Sequence, residues 1–271
     1  MKAFEKKVVV ITGASSGIGK ALAFSFAREG AQVVIAARNA ERLKSVEKEL
    51  QLVSHDILTI LADVSIETDC KNLIETTVNH FGKIDVLICN AGISMRALFL
   101  DVDLSVLKKL IDTNFWGAVY CIKYALPYIL KVNGSIVGIS SIAGKKGLPG
   151  RTGYSASKFA LEGFLETLRT ENLKNNLHVL VACPGFTASG IRVTAIAGDG
   201  SIQGESPRNE SLMMQPEQVA ERILIAVKKR KRDLVLSTTG FLIVWLDKFF
   251  PGWLDKVVYK HMAKEPGSPF K

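Results

Sequence analysis

Cysteine and histidine are scarce in this chain of 271 residues, and neither is grouped. The four cysteines, Cys70, Cys89, Cys121 and Cys183, are 19, 32 and 62 positions apart, which fits neither a metal knuckle nor a dense disulfide framework. The four histidines, His55, His80, His178 and His261, never come closer than 25 positions, so no local zinc motif forms and no metal is expected. A reducing, cytoplasmic setting is the simpler expectation. Long apolar runs are missing too. Nothing reaches the roughly 18 residues of a membrane span, and the run 8–11 behind Lys2, Lys6 and Lys7 is too short for a signal segment. Negative charge is the minority sign: 35 Lys and Arg against 26 Asp and Glu leave +9, which favours anionic ligands or surfaces without naming one. Five of the cations form Lys228-Lys229-Arg230-Lys231-Arg232. The first reading of that run is the cationic end of a helix, and the second is contact with a membrane surface. No nucleic-acid module accompanies it, so no nucleic-acid partner is expected.

What the chain does have is rhythm. Short β-branched runs recur at 8–11, 33–35, 58–61, 86–88, 135–139, 179–181 and 234–236, with helical patterns between them. The runs are apolar on both faces rather than alternating, as buried parallel strands are. The expected fold is therefore α/β, a single Rossmann-like, doubly wound domain over 1–236. Residues 190–215, rich in Gly, Ser, Glu and Asn, predict a mobile excursion serving as a substrate lid, before a helix opened by Pro216. From 237 to 271 the rhythm stops and an aromatic, basic C-terminal tail begins.

The first strand runs into Thr12-Gly13-Ala14-Ser15-Ser16-Gly17-Ile18-Gly19. Glycines at a strand end let backbone approach a pyrophosphate, and the free N–H groups and dipole of the following helix favour its charge. The same residues match G-x-S-x-G, the nucleophile elbow of α/β hydrolases, which makes Ser15 a formal nucleophile. An elbow usually follows several strands and needs an acid and then a histidine later, so that reading is the weaker one.

The sequence resembles the short-chain dehydrogenase/reductase family over residues 7–236. The resemblance rests on Thr12-Gly13-x-x-x-Gly17-x-Gly19, Asp63-Val64, Asn90-Ala91-Gly92, Asn114, Gly134-Ser135-Ile136-Val137 leading to Ser141, Tyr154-x-x-x-Lys158, and Pro184-Gly185. It implies a seven-stranded parallel sheet, a nicotinamide cofactor without metal, and redox chemistry between alcohol and carbonyl. It also implies roles: Tyr154 as general acid in reduction, Ser141 as hydrogen-bond partner of the carbonyl, Lys158 as the cation that lowers the tyrosine pKa and holds the nicotinamide ribose, and Asn114 as support for a water relay. The residues themselves allow this. Tyr154 and Lys158 lie one turn apart on one helix face, where a fixed cation stabilises a phenolate. An aromatic core residue beside a solvated lysine fits the same spacing. Ser141, ending a strand 13 positions earlier at the edge where such sheets bind ligands, favours the catalytic reading. Ser140 is its decoy.

The expected cofactor contacts are Gly13, Ser15, Ser16, Gly17, Ile18, Gly19, Arg38, Asp63, Val64, Asn90, Ala91, Gly92, Pro184, Gly185, Thr187 and Ser189, together with Tyr154 and Lys158. NADP(H) is expected over NAD(H), because the second strand ends in Ala37-Arg38 instead of the carboxylate that bonds ribose hydroxyls. Cys89 reads as a small buried residue. Met95, Leu148, Pro149 and Phe186 are expected at the mouth of the site. Their apolar character favours a hydrophobic ketone or alcohol, and further resemblance points to the reductases of lipid and steroid ketones. A nucleotide-binding scaffold without catalysis is the rival, and its signature, loss of Ser141, Tyr154 or Lys158, is absent from the sequence. Helical segments over 102–130 and 152–172 resemble those that pair between subunits in this family, and their apolar positions exceed what one sheet face must cover, so a homodimer or homotetramer is expected. The tail, with aromatics beside lysines over 239–259, predicts either packing on its own domain or peripheral contact with a membrane surface.

Overall fold

A computed structural model describes residues 2–206 and 209–270. Its core is one seven-stranded parallel sheet built from β1 (Val8–Thr12), β2 (Gln32–Ala37), β3 (Ile57–Leu61), β4 (Val86–Cys89), β5 (Ser135–Ile139), β6 (His178–Cys183) and β7 (Asp233–Val235) in the order β3-β2-β1-β4-β5-β6-β7. Every pairing is parallel. Successive side chains of a strand point to opposite faces, and here both faces are apolar. Val9 and Ile11 of β1 join the core under α1 (Gly17–Arg28), α2 (Ala40–Gln51) and α7 (Pro216–Lys228), whereas Val8 and Val10 join the core under α3 (Glu67–Phe81), α5 (Gly117–Lys131) and α6 (Thr152–Glu171). The near-continuous hydrophobic runs follow from this double burial.

The start of the sheet is fixed by a buried carboxylate. Asp85, just before β4, accepts from Lys7 Nζ at 2.8 Å, from the Val8 N–H at 2.9 Å and from Lys83 Nζ at 3.0 Å. Burial alone would push its carboxyl up, but these bonds outweigh burial and hold it below the usual value.

Two expectations change at this level. The helix anticipated over 102–130 is two helices, α4 (Leu104–Ile111) and α5, separated by a π-turn at Asp112–Trp116. The wider turn rotates Asn114 inward, where its side chain is 1% exposed. The excursion over 190–215 is folded down onto the domain in its described part: the Ile196 N–H donates to the Ser94 carbonyl and the Ile196 carbonyl accepts from Arg96. Arg192 ties it further, donating to the Thr187 carbonyl at 2.6 Å and to Glu210 at 3.1 Å. Pro207 and Arg208 of the excursion, and Met1 and Lys271 of the outer segments, lie outside the described residues. The tail forms two helices, α8 (Thr238–Phe249) and α9 (Pro251–Ala263), broken at Pro251-Gly252 as its composition implies.

The basic run is the end of α7 and the turn into β7. Arg230 adopts φ 48° there and donates to the carbonyls of Asn133 and Asn176, so it clamps two neighbouring turns.

Candidate active site

The sheet reverses its strand order between β1 and β4, and a cleft opens at the carboxyl ends of the strands there. Thr12, the last residue of β1, accepts through Oγ1 from the N–H groups of Asn90 (3.0 Å) and Ala91 (3.1 Å). Asn90 returns its side-chain amide to the carbonyls of Thr12 (2.8 Å) and Gly13 (3.1 Å). These four bonds join the glycine turn to the turn after β4.

Gly13 and Gly17 adopt φ of 65° and 52°, which side chains rarely do. A Cβ at Gly19 would collide with the Gly13 carbonyl and the Asn90 amide. The start of α1 carries no side-chain cap on Ser16 and no acid in its first turn. An uncapped, positively polarised helix end behind a glycine cradle fits the diphosphate of a dinucleotide. Ser189 closes the cradle from the other side, since a Cβ on Gly17 would lie 3.1 Å from the Ser189 Cβ. Towards the outer end, Arg38 and Asp63 are 3.9 Å apart, and Arg42 of α2 lines the same wall.

Of the residues anticipated from the sequence, Gly13, Ser15, Ser16, Gly17, Ile18, Arg38, Asp63, Val64, Asn90, Ala91, Gly92, Ser141, Tyr154, Lys158, Pro184, Gly185, Thr187 and Ser189 all line this one cleft. Gly19 and Asn114 lie behind it. Asn114 accepts from the Ile93 N–H at 2.8 Å and donates to the Ile93 carbonyl and to Ser157 Oγ, both at 2.9 Å. A Cβ on Gly92 would sit 3.1 Å from Asn114 Oδ1 and 3.4 Å from Lys158 Nζ, so glycine permits both groups to converge there. Ser140 and Ser141 both line the cleft, but Ser140 gives its hydroxyl to Glu162 at 2.5 Å. Leu148 and Phe186 line the cleft as expected of the mouth. Met95 does not: it is fully buried among Ile93, Val106, Leu110 and Ile196, and Pro149 lines a neighbouring groove. Arg42, Arg151 and Arg192 were not anticipated and line the cleft. Arg42, four positions after Arg38 at the start of a helix, was legible; the other two depend on how loops fold.

Electrostatics follow from burial. Lys158 is 4% exposed, and loss of solvent pushes its ammonium down to about 8, against the opposing pull of Glu162. Its Nζ donates to the Ile139 carbonyl at 2.8 Å and stands 5.9 Å from the centre of the Tyr154 ring. Burial raises the Tyr154 phenol, while a hydrogen bond with Ser141 and the charges of Arg151 and Arg192 oppose it. Burial likewise pushes the Cys89 thiol up to about 12, as befits a packing residue and not a nucleophile. The hydrolase alternative loses one of its two possible later histidines, His178 and His261. His178 begins β6 at the opposite edge of the sheet from Ser15, bonded to Ser135 Oγ and the Lys231 carbonyl.

Fold and cleft together define a dinucleotide-binding α/β protein. The short chain dehydrogenase family model matches residues 7–199. The chain is 34% identical over 278 residues to the uncharacterized oxidoreductase YxnA of Bacillus subtilis, spanning 99% of this chain and 77% of that protein. It is 35% identical over 274 residues to dehydrogenase/reductase SDR family member 7B of Bos taurus, spanning 98% and 84%. To 11-beta-hydroxysteroid dehydrogenase 1A of Arabidopsis thaliana it is 43% identical over 199 residues, 72% of this chain and 57% of that one. A short chain dehydrogenase/reductase from Burkholderia phymatum, solved in complex with NAD, shares the fold with a TM-score of 0.83 at 23% identity, covering 93% and 96%. The chain belongs to the short-chain dehydrogenase/reductase family. It is a nicotinamide-dependent oxidoreductase acting between alcohol and carbonyl groups.

The depressed Lys158 ammonium has a consequence for stability. Between pH 8 and 10.5 the unfolded chain keeps a proton that the folded chain has lost. Stability of the nucleotide-free protein relative to Lys158→Met is therefore expected to rise with pH across that window, with a slope approaching about 1.4 kcal/mol per pH unit. Urea unfolding of both proteins at several pH values measures it, and a flat difference would contradict a depressed lysine.

Proposed function

We propose that this oxidoreductase uses NADP(H) to interconvert a ketone and an alcohol on a hydrophobic, lipid- or steroid-like substrate. The convergence of Ser141, Tyr154 and Lys158 at one end of a cleft, with a glycine cradle along the rest, carries the reading. The nicotinamide supplies or accepts the hydride when bound. The protein's part is to hold the reacting oxygen and manage its proton. Ser141 Oγ donates a hydrogen bond to the substrate oxygen. In reduction, Tyr154 Oη delivers the proton that turns this oxygen into a hydroxyl, and takes it back in oxidation. Lys158 holds the nicotinamide ribose and favours the phenolate once the tyrosine has given up its proton. Asn114, held by Ile93 and Ser157, keeps the space beside Lys158 polar for a water that returns the proton. Gly13, Ser15, Ser16, Gly17, Ile18, Gly19 and Ser189 would hold the diphosphate, Asp63 and Val64 the adenine, and Pro184, Gly185 and Thr187 the nicotinamide.

Tyr154→Phe keeps the ring and removes the transferable proton. Turnover with a panel of hydrophobic ketones is expected to fall by about 10² or more while nucleotide binding survives. Near-normal turnover would overturn the assignment.

Arg38 and Arg42 line the outer end of the cleft, and β2 ends without an acid. A 2′-phosphate meets two guanidiniums there, and charge-assisted pairs of this kind contribute about 1.5–3 kcal/mol. NADPH is expected to bind at least about tenfold more tightly than NADH, and Arg38→Ala with Arg42→Ala to abolish the difference. Calorimetric titration decides it, and equal affinities in the unaltered protein would count against the preference.

The same reading assigns α8 and α9 to a lipid surface. Leu254, Val258 and Met262 pack back onto Leu148, Ile243, Leu246 and Phe270. Phe241, Trp245, Phe249, Phe250, Trp253 and Tyr259 remain exposed, interleaved with Lys248, Lys256 and Lys260. No helix among the described residues is long and apolar enough to cross a membrane, and aromatics beside lysines suit an interface with anionic headgroups. A groove of about 880 Å³ between α6 and α9 shares Leu148 with the active cleft, which gives a lipid-like substrate an apolar approach. Exposed Trp116 and Phe159, at the start of α5 and on α6, are assigned to pairing between subunits in a homodimer or homotetramer. Flotation is expected to carry the protein up with anionic vesicles and less with neutral ones, and replacement of Trp245, Phe249 and Trp253 by serine to abolish it. Equal sedimentation of both proteins with either vesicle would reject the assignment.

A further inference from the structure

Among the described residues, six cationic side chains line the cleft, Arg38, Arg42, Lys109, Arg151, Lys158 and Arg192, against the single carboxylate of Asp63 at the adenine end. The substrate end, around Tyr154, therefore has positive charge and no lining acid. The two buried arginines there differ in how they are balanced. Arg192 is neutralised by Glu210 at 3.1 Å and saturates the Thr187 carbonyl. Arg151, the residue that caps α6 three positions before Tyr154, is 6% exposed, and no carboxylate of the described residues lies within 4.0 Å of it. Glu265, whose charge reaches it, is paired with Arg96 at 3.5 Å. Only Nη1 of Arg151 is bonded, to Ser94 Oγ at 2.9 Å and the Met95 carbonyl at 3.3 Å. Nε and Nη2 have no hydrogen-bond partner among the described residues, neither is sealed from solvent, and the side chain lines the cleft.

A guanidinium is expensive to bury without an anion, and a planar edge of two N–H donors matches the two oxygens of a carboxylate or phosphate. We infer that Arg151 receives an acidic group of the substrate, so that the reacting compound is an apolar ketone or alcohol carrying a carboxylate or phosphate a few bonds from the carbon that reacts. The short spacer follows from proximity: both side chains line the cleft, and the charge of Arg151 is felt at the Tyr154 phenol. Aliphatic residues, Ile93, Leu148, Ile191, Ile196 and Ile202, line the same end and take the hydrocarbon part. This rests on the assignment of the reacting oxygen to Tyr154 and Ser141, and it narrows the substrate class.

Binding separates the two ideas without needing the true substrate. Octanoate, octyl phosphate and the neutral methyl octanoate serve as probes, titrated against the full-length protein saturated with NADP⁺. Either acid, or both, is expected to bind about ten- to a hundredfold more tightly than the ester, the range of a hydrogen bond to a charged group. Which of the two binds better distinguishes a carboxylate from a phosphate ligand. Arg151→Gln is expected to erase the preference, and Arg151→Lys, which keeps the charge but loses the fork, to restore part of it. Tyr154→Phe is expected to retain it. Unchanged nucleotide affinity in each variant shows that the cleft is intact; should Arg151→Gln lose it, the lysine variant and the probe preference of the unaltered protein decide. Equal affinity for ester and acids in the unaltered protein, or an acid preference that survives in Arg151→Gln, would overturn the inference. Failure of the catalytic assignment looks different: ketones would be reduced equally well by Tyr154→Phe, whatever the probes show.

Discussion

The bond exchange between Thr12 and Asn90 is the contact on which the rest of the site depends. It sits where the strand order reverses, so the chain leaves β1 in one direction and β4 in the other, and a gap must open between them. Without a tie the two loops would be free to splay. Each of its four hydrogen bonds contributes only about 1 kcal/mol net, but together they fix Gly13, Ala91 and Gly92 relative to the start of α1. Gly19 is required by the same junction, since any larger residue would strike Gly13 and Asn90. Asn114 and Lys158 then converge on Gly92 from the far side. The glycine cradle and the Asn114–Lys158 end of the cleft are thus referenced to one seam.

Charge in the cleft is arranged by cost. Lys158 is buried and gives up part of its affinity for a proton, partly offset by Glu162 one turn further along α6. Glu162 itself is held by Lys145 at 2.7 Å and by Ser140. A ladder of tyrosine, lysine and glutamate at four-residue spacing therefore runs along one face of α6, from the cleft into the protein. The glutamate keeps a second ammonium close by, so its pull on Lys158 is moderated, and the lysine stays poised instead of permanently charged.

Much of this was legible in the chain. Doubly buried strands announce themselves by unbroken β-branched runs, and all seven appear in the sheet; the last is shifted by one residue, at Asp233–Val235. The glycine turn, Tyr154, Lys158 and Ser141 are local patterns whose spacing already encodes shared faces, and they come together in one cleft. What was not legible depends on contacts between distant segments. A π-turn costs one extra residue and leaves no mark on apolar periodicity, so 102–130 reads as one helix. Met95 is apolar whether it lines a mouth or a core, and only the return of Ile196 across it decides. A loop rich in Gly and Ser reads as mobile, yet Arg192 and the backbone of Ile196 hold it down. Arg151 looks like any cation before a helix until Ser94 is brought to it.

The C-terminal helices show how far such distant contacts extend. Lys146, five residues after Ser141, is bonded to Asp247 of α8 at 2.6 Å and to Asp255 of α9 at 2.7 Å. Gly240 lies so close to Ile142 that a Cβ there would collide with that side chain, and Ser237 occupies the space beside Gly185. Both loops that bring Ser141 and Gly185 to the cleft, the one after β5 and the one after β6, are therefore braced by the segment that begins at Ser237. Removing that segment would loosen Ser141 and Gly185 along with any surface it contacts, so loss of activity on truncation would not reveal which role had been lost. Substitution of the exposed aromatics leaves Lys146, Asp247 and Asp255 in place and separates the two. The outward face of α8 and α9 can then change its partner while the inward face goes on holding the Ser141 loop.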